Sequence, residues 1–188
     1  PVTLGAFKDW TARSVGTGAA KYCYAIARPQ STLPAKAKRD PIGFLITDWP
    51  SRHAKAEPQV NPGYQYKDGS TVTVQVGSDK YDFFTKNDGG QGGAWMKDPK
   101  DEARLVSAMR SNGQMIVTGV SKRGTMTHDT YSLAGVSDAV DKIHAECALK
   151  NNFPPPFTGE ELSAPSRAKR RGISRKAPSG SLRSPPPP

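Results

Sequence analysis

Over residues 71–76 the sequence reads TVTVQV, so that Thr71, Thr73 and Gln75 alternate with Val72, Val74 and Val76. Only an extended strand sends successive side chains to opposite faces, and this pattern gives one wet face and one apolar face. Turn-forming pairs bracket it, Asp68-Gly69 before and Gly77-Ser78-Asp79 after, which predicts consecutive antiparallel hairpins over residues 63–85. The same reading gives apolar strands over 114–120 and 125–133, joined by the turn Ser121-Lys122-Arg123-Gly124, and weaker ones over 6–14, 21–28 and 43–48. Two segments break the period. Asp98-Pro99 supplies a cap and a first-turn proline, Leu105, Val106, Ala108 and Met109 an apolar side, and Asn112-Gly113 a stop. From Ser137, the residues Val140, Ile143 and Cys147 recur at helical steps along one buried stripe. The predicted class is mainly β, an antiparallel sandwich or barrel-like domain with two short helices and a disordered C-terminal arm.

The arm follows from composition. Of 188 residues, 27 are Lys or Arg and 17 are Asp or Glu, a formal charge of +10. Half of that excess falls in residues 159–188, GEELSAPSRAKRRGISRKAPSGSLRSPPPP, which hold no aromatic residue. So few apolar groups cannot offset the roughly 1–2 kcal/mol per residue needed to order a backbone. The expected organisation is a β-rich domain over residues 1–158 and a basic Pro/Ser-rich tail over 159–188. No apolar run approaches the roughly 20 residues of a membrane-spanning helix. The chain opens on Pro1 rather than Met, as expected where an upstream segment has been removed.

Chemistry-bearing residues are sparse. Cys23 and Cys147 form no CxxC or Cys/His zinc pattern, and are either two buried free thiols or disulfide partners. The histidines His53, His128 and His144 match no nucleophile, zinc or phosphate-loop motif. Alternation sets His128 and Asp129 on opposite faces of a strand, which makes His128 a surface residue. The glycines of residues 89–93, GGQGG, lack the Lys-Ser/Thr ending of a phosphate loop and are expected in a hairpin loop. In the turn at 121–125, Gly124 is expected at positive φ. Arg123 has three readings there: solvated, tied to a carboxylate such as Asp129, or a contact for an anion or partner. The aromatics Trp10, Tyr24, Trp49, Trp95 and Tyr131 are expected in the core. No metal or cofactor is expected.

Motifs in a fixed order carry a resemblance over about 140 residues. They are Phe7-Lys8-Asp9-Trp10, Cys23-Tyr24-Ala25, Gly63-Tyr64 with Lys67-Asp68-Gly69-Ser70, Phe83-Phe84-Thr85 and Ala94-Trp95. Leu105-Val106, Ala108-Met109-Arg110, Ser121 with Arg123-Gly124-Thr125, Asp129-Thr130-Tyr131-Ser132-Leu133 and a helix ending at Cys147 follow. In these the chain resembles the invasion-associated locus B family of alphaproteobacteria. That resemblance implies an exported protein whose signal peptide is removed, periplasmic or associated with the outer envelope, and linked in some pathogens to host-cell invasion. In such an oxidising compartment it implies that Cys23 and Cys147 are paired. Two features depart from the family: His128 stands where a small hydroxyl residue is expected, and the basic extension has no counterpart.

The tail's Arg167, Lys169, Arg170, Arg171, Arg175 and Lys176 are expected to associate with anionic surfaces. A nucleic-acid tail has a similar composition, but export argues for envelope lipid, lipopolysaccharide or the acidic surface of a membrane-protein complex instead. The functional expectation is a non-enzymatic binding protein of the envelope, with a host surface as a further possible partner. Its alternative is an accessory subunit of an envelope membrane-protein complex, docked through the proline-rich arm. A third reading, from another class, is a hydrolase, which requires a pocket with convergent polar groups.

Overall fold

A computed structural model describes residues 1–148; the basic tail with Arg167, Lys169, Arg170, Arg171, Arg175 and Lys176, and the expected boundary at 158, lie outside the described residues. In chain order the elements are β1 (Val2–Phe7), β2 (Trp10–Val15), β3 (Tyr22–Ala27), β4 (Ser31–Leu33), β5 (Gly43–Trp49) and β6 (Ala54–Asn61). Then come β7 (Thr71–Val76), β8 (Asp79–Asp88), β9 (Gln91–Met96), α1 (Glu102–Ser111), β10 (Gln114–Val120), β11 (Met126–Ser132) and α2 (Val136–Glu146). All the strands belong to one antiparallel sheet, ordered β1-β2-β3-β5-β6-β9-β8-β7-β10-β11-β4. The mainly β, antiparallel class with two helices is therefore as expected.

The sheet curls until strands from its opposite ends share one core. Trp10 on β2 donates its indole N–H to the carbonyl of Ser132 on β11 at 3.0 Å. The Phe44 ring on β5 lies 6.4 Å from Trp10, 6.3 Å from Phe83 and 6.0 Å from Tyr131. Around these rings pack Ile46, Val60, Val72, Val74, Met115 and Val117, all buried. Each such side chain contributes about 1.5–3 kcal/mol when removed from water. The alternation in β7 does what it predicts, with its three valines inward.

Some strands sit where the sequence misleads. Residues 6–14 are not one strand: Lys8 adopts φ +52° and the chain reverses, so that Phe7 pairs with Trp10 in a hairpin of β1 and β2. β6 is a strand despite Pro58 in its middle. Pro58 pairs with Ile46 of β5, whereas the ladder to β9 starts only at Gln59, so the missing N–H costs no bond. Of residues 89–93 only Gly89 and Gly90 turn, and Gln91 onward enters β9. The aromatic expectation divides. Trp10 and Tyr131 are fully buried, but Tyr24, Trp49 and Trp95 are half-buried and alternate away from the core side chains of their strands.

Local chemistry marks the start and stop of α1. The Asp98 carboxylate accepts from the Lys100 N–H at 3.0 Å, and a short 3-10 turn over Pro99–Asp101 leads into α1. Asn112 closes α1 by donating from Nδ2 to the carbonyl of Ala108 at 2.8 Å. α2 buries Val136, Ala139, Val140 and Ile143 and packs across β1, β2, β3 and β5. Three side-chain links hold its last turns: Lys21 to Glu146, Asp48 to His144, and a disulfide between Cys23 and Cys147. The bond joins positions 124 residues apart, for which the chain-entropy model gives a stabilisation of about 4–5 kcal/mol.

At the start of α1 the Glu102 carboxyl is pushed up to about 7, chiefly because burial strips its water and secondarily by the charge of Glu57 on β6. A carboxyl raised on folding favours the native state when protonated, and that advantage fades as pH climbs through the ordinary carboxylate range to about 7. Glu102→Gln should therefore match the parent at pH 4 and be more stable at pH 8. The gain should be about 1 kcal/mol once solvent screening is allowed for, measured by urea unfolding at both pH values.

Candidate functional site

Arg39 lies in the connection between β4 and β5 and reaches inward to β11. Its Nη1 and Nη2 donate to Oδ1 and Oδ2 of Asp129, both at 2.6 Å, and its Nε donates to the carbonyl of Pro62 at 2.8 Å. The two side chains are only 5 % and 2 % exposed, so this is a buried, two-pronged ion pair. The guanidinium also sits 4.9 Å from the centre of the Tyr64 ring. Burial pulls the Arg39 pKa down, but the hydrogen bond and charge of Asp129 outweigh it and leave it raised. Burial raises Tyr64 as well, against the pull of its hydrogen bond to Thr127 and of the Arg39 charge, so both groups hold their protons.

Above this pair opens a cavity of about 690 Å³ lined by Ala37, Lys38, Arg39, Tyr64, Gln65, Ser121, Lys122, Arg123, Thr125 and Thr127. The Tyr64 hydroxyl and Thr127 Oγ1 are 2.6 Å apart in its wall. The turn between β10 and β11 forms the rim. Gly124 takes φ +87°, as its place in the sequence predicts, and its N–H donates to the carbonyl of Ser121 at 2.8 Å. Ser121 Oγ accepts from the Thr125 N–H at 3.1 Å. The turn is anchored at its base, where the Lys122 N–H donates to the carbonyl of Gln65 at 2.8 Å.

Arg123 is thus on the rim of a real concavity, and exposed. Of its three readings the tie to Asp129 is not made, because alternation turns Asp129 to the interior, where Arg39 occupies both of its oxygens. With Asp129 neutralising Arg39, three lining cations remain: Lys38, Lys122 and Arg123. Among the described residues none of the three has an ion-pair partner, and no carboxylate lines the cavity. Such a site offers ammonium and guanidinium donors at the rim and hydroxyls in the wall, a donor set suited to a carboxylate or phosphate. Sequence reasoning found the turn and missed Lys38, Arg39 and Tyr64, which are distant in the chain and share no spacing signal with it.

The other candidates fall elsewhere. His128 is half-buried on the outward side of β11 with Nδ1 3.1 Å from Thr118 Oγ1, opposite to Asp129 as alternation predicts. His144 pairs through Nδ1 with Asp48 Oδ2 at 2.6 Å, while Asp48 Oδ1 accepts from the Ala56 N–H at 2.7 Å. This second buried acid, paired across 96 residues, left no mark in the sequence. Among the described residues no cluster of three or more His, Cys, Asp or Glu could hold a metal ion.

These features define a curled antiparallel β domain, its helix α2 fastened by a disulfide, with a basic cavity beside the β10–β11 hairpin. The same fold is found in the crystal structure of invasion associated protein B from Bartonella henselae, at a TM-score of 0.54 and 12 % identity, covering 78 % of this chain and 97 % of that one. No family model matches the sequence, and no curated protein sequence does either.

If Arg39 is the partner that Asp129 requires, Asp129→Asn should lower unfolding free energy by about 3–5 kcal/mol by stranding a buried guanidinium. Replacing both, Arg39→Met with Asp129→Leu, should recover most of that loss, and Arg123→Ala should stay within about 0.5 kcal/mol of the parent. Urea unfolding of the three variants distinguishes the partners.

Proposed function

We propose that the protein is an exported, non-enzymatic binding protein of the cell envelope, of the virulence-associated kind, which uses the cavity beside β11 to hold an anionic group of its partner. The observation that carries this is the set of three cations, Lys38, Lys122 and Arg123, around a concave, hydroxyl-lined wall, without a counter-charge among the described residues. Its likeness in fold to invasion associated protein B from Bartonella henselae, and the disulfide, which suits an oxidising compartment, support the export and virulence part. The ligand chemistry is a phosphate or carboxylate presented at a surface, as on anionic lipid or an acidic protein face. Nucleic acid is disfavoured by the proposed location.

Each cation brought near an anionic bilayer is worth about 1 kcal/mol. The triple variant Lys38→Gln, Lys122→Gln, Arg123→Gln should therefore bind vesicles of one-third phosphatidylglycerol in phosphatidylcholine at least about tenfold more weakly than the parent. Parent binding should fall as salt rises and the Debye length shrinks. The comparison needs a second variant in which Arg167, Lys169, Arg170 and Arg171 are neutralised. Full affinity in the cavity variant, with the loss confined to the tail variant, would refute the cavity as the contact.

A further inference from the structure

On the outward side of the sheet, strands β6, β9 and β8 carry a second site that shares no residue with the basic cavity. Gln59, Trp95 and Phe84 lie side by side across these three strands. Phe84 is 45 % exposed, a large apolar ring that the core does not need. Its ring adjoins that of Trp95, with 29° between planes and 6.0 Å between centres, so aromatic surface runs on from β8 to β9 as a floor. A single exposed ring is ordinary on a protein surface, but here it is continuous with the half-buried Trp95 and lies in a cleft.

The floor is built flat. A Cβ added to Gly93 would lie 2.4 Å from Trp95 Cη2 and 2.8 Å from Cζ3, so the six-membered ring of the indole rests directly on the Gly93 backbone. Any side chain at 93 would lift it. One face of the indole is thereby used up on the sheet and the other is turned away from it. Trp49, by contrast, is occupied on its rings, stacked on Tyr22 at 4.5 Å and contacted by the Arg52 guanidinium at 4.2 Å. It serves as a wall, fixed by donating its indole N–H to Glu57 at 3.1 Å.

Two clefts meet at Trp95. One, of about 550 Å³, runs from Trp49 and Arg52 past Glu57 to Phe84, and the other, of about 250 Å³, continues to Asn61, Asp88 and Gln91. They share Gln59, Lys86 and Trp95, so they form one groove with the aromatic floor in its middle. The charged side chains along it are Arg52, Lys86, Glu57 and Asp88, two of each sign, so the groove as a whole is neutral. The rest of its polar lining is amide: Gln59, which donates to Asn61 at 2.9 Å, and Gln91.

We infer that this groove binds a neutral oligosaccharide, one pyranose ring lying on Trp95 and Phe84 and its neighbours reaching the polar flanks. A pyranose has an apolar C–H face that packs on an aromatic ring and a rim of hydroxyls that each donate and accept. Carboxylate, amide and guanidinium groups pair with adjacent hydroxyls in two-pronged fashion. Charge balance within the groove disfavours a polyanion. A polyproline segment also packs on tryptophan, but its backbone offers only carbonyl acceptors, which leaves Asp88 facing groups that cannot donate to it, whereas Glu57 is already met by Trp49 and Arg52.

The test is calorimetric titration of the full chain with cellohexaose, chitohexaose and maltohexaose. At least one should bind saturably, with an affinity unchanged between 50 and 500 mM salt, unlike the salt-sensitive contact proposed for the basic cavity. Trp95→Ala should weaken it about tenfold or more, Trp95→Phe by less than the alanine change, and Gly93→Val, which lifts the indole off the strand, should weaken it as well. Thermal melts of each variant check folding, and Phe84→Ala, at an exposed position, provides the same readout if Gly93→Val fails to fold. The inference is overturned if none of the three sugars binds, if binding survives Trp95→Ala undiminished, or if decaproline binds in a Trp95-dependent manner and the sugars do not.

Discussion

A guanidinium kept almost wholly from water needs a fixed counter-charge on each side of its fork, and Asp129 supplies it to Arg39. This pair holds the long β4–β5 connection against β11, near the far edge of the sheet. It orients Tyr64, which in turn meets Thr127. The cavity wall exists because these groups are locked together, and the rim cations stand around it because the connection carrying Lys38 and the turn carrying Lys122 and Arg123 are brought to the same edge. A pair of this kind adds little net stability over an apolar replacement, but it strongly penalises any arrangement that separates its members.

The opposite part of the sheet is fixed differently. There α2 is held by the disulfide, by the Asp48–His144 pair and by the Lys21–Glu146 contact, all within its last turns or just beyond them. Cys23 and Asp48 face each other across β3 and β5, so two of the three links share one row of the sheet. Trp10 then joins β2 to β11 through its indole N–H, and the curled sheet encloses a single core. One region is secured by covalent and helical packing and the other by a buried charge. The second is the one that opens into a cavity.

Legibility in the sequence followed the range of the interactions. β7, β10 and β11 announced themselves because a half-buried strand must alternate, and both helices because capping and apolar steps are local. Residues 6–14 misled because the reversal at Lys8 carries neither glycine nor proline. β6 was hidden by Pro58, harmless only because its N–H side has no partner at that point. β9 was hidden by Gly92 and Gly93, residues that weaken a strand signal yet are required here by close packing. Trp49 and Trp95 were expected inside because large aromatics generally are, and nothing local reveals that their strands turn them outward. The turn at Arg123 was visible, while its neighbours Lys38, Arg39 and Tyr64 were not, since 90 residues separate Arg39 from Asp129. The resemblance in motif order anticipated the fold shared with invasion associated protein B, despite only 12 % identity.

The edge pinned by Arg39 and Asp129 is proposed to be where an anionic partner is received. The most direct measurement is a residue-by-residue map: backbone amide shifts of the ¹⁵N-labelled full chain, followed during titration with vesicle-free phosphatidylglycerol headgroup, glycerol phosphate. Saturating shifts should be confined to residues 37–39, 64–65 and 121–127, with the amides of β3, β5 and α2 unmoved. Shifts absent from those three segments, or confined to residues 159–188, would contradict it.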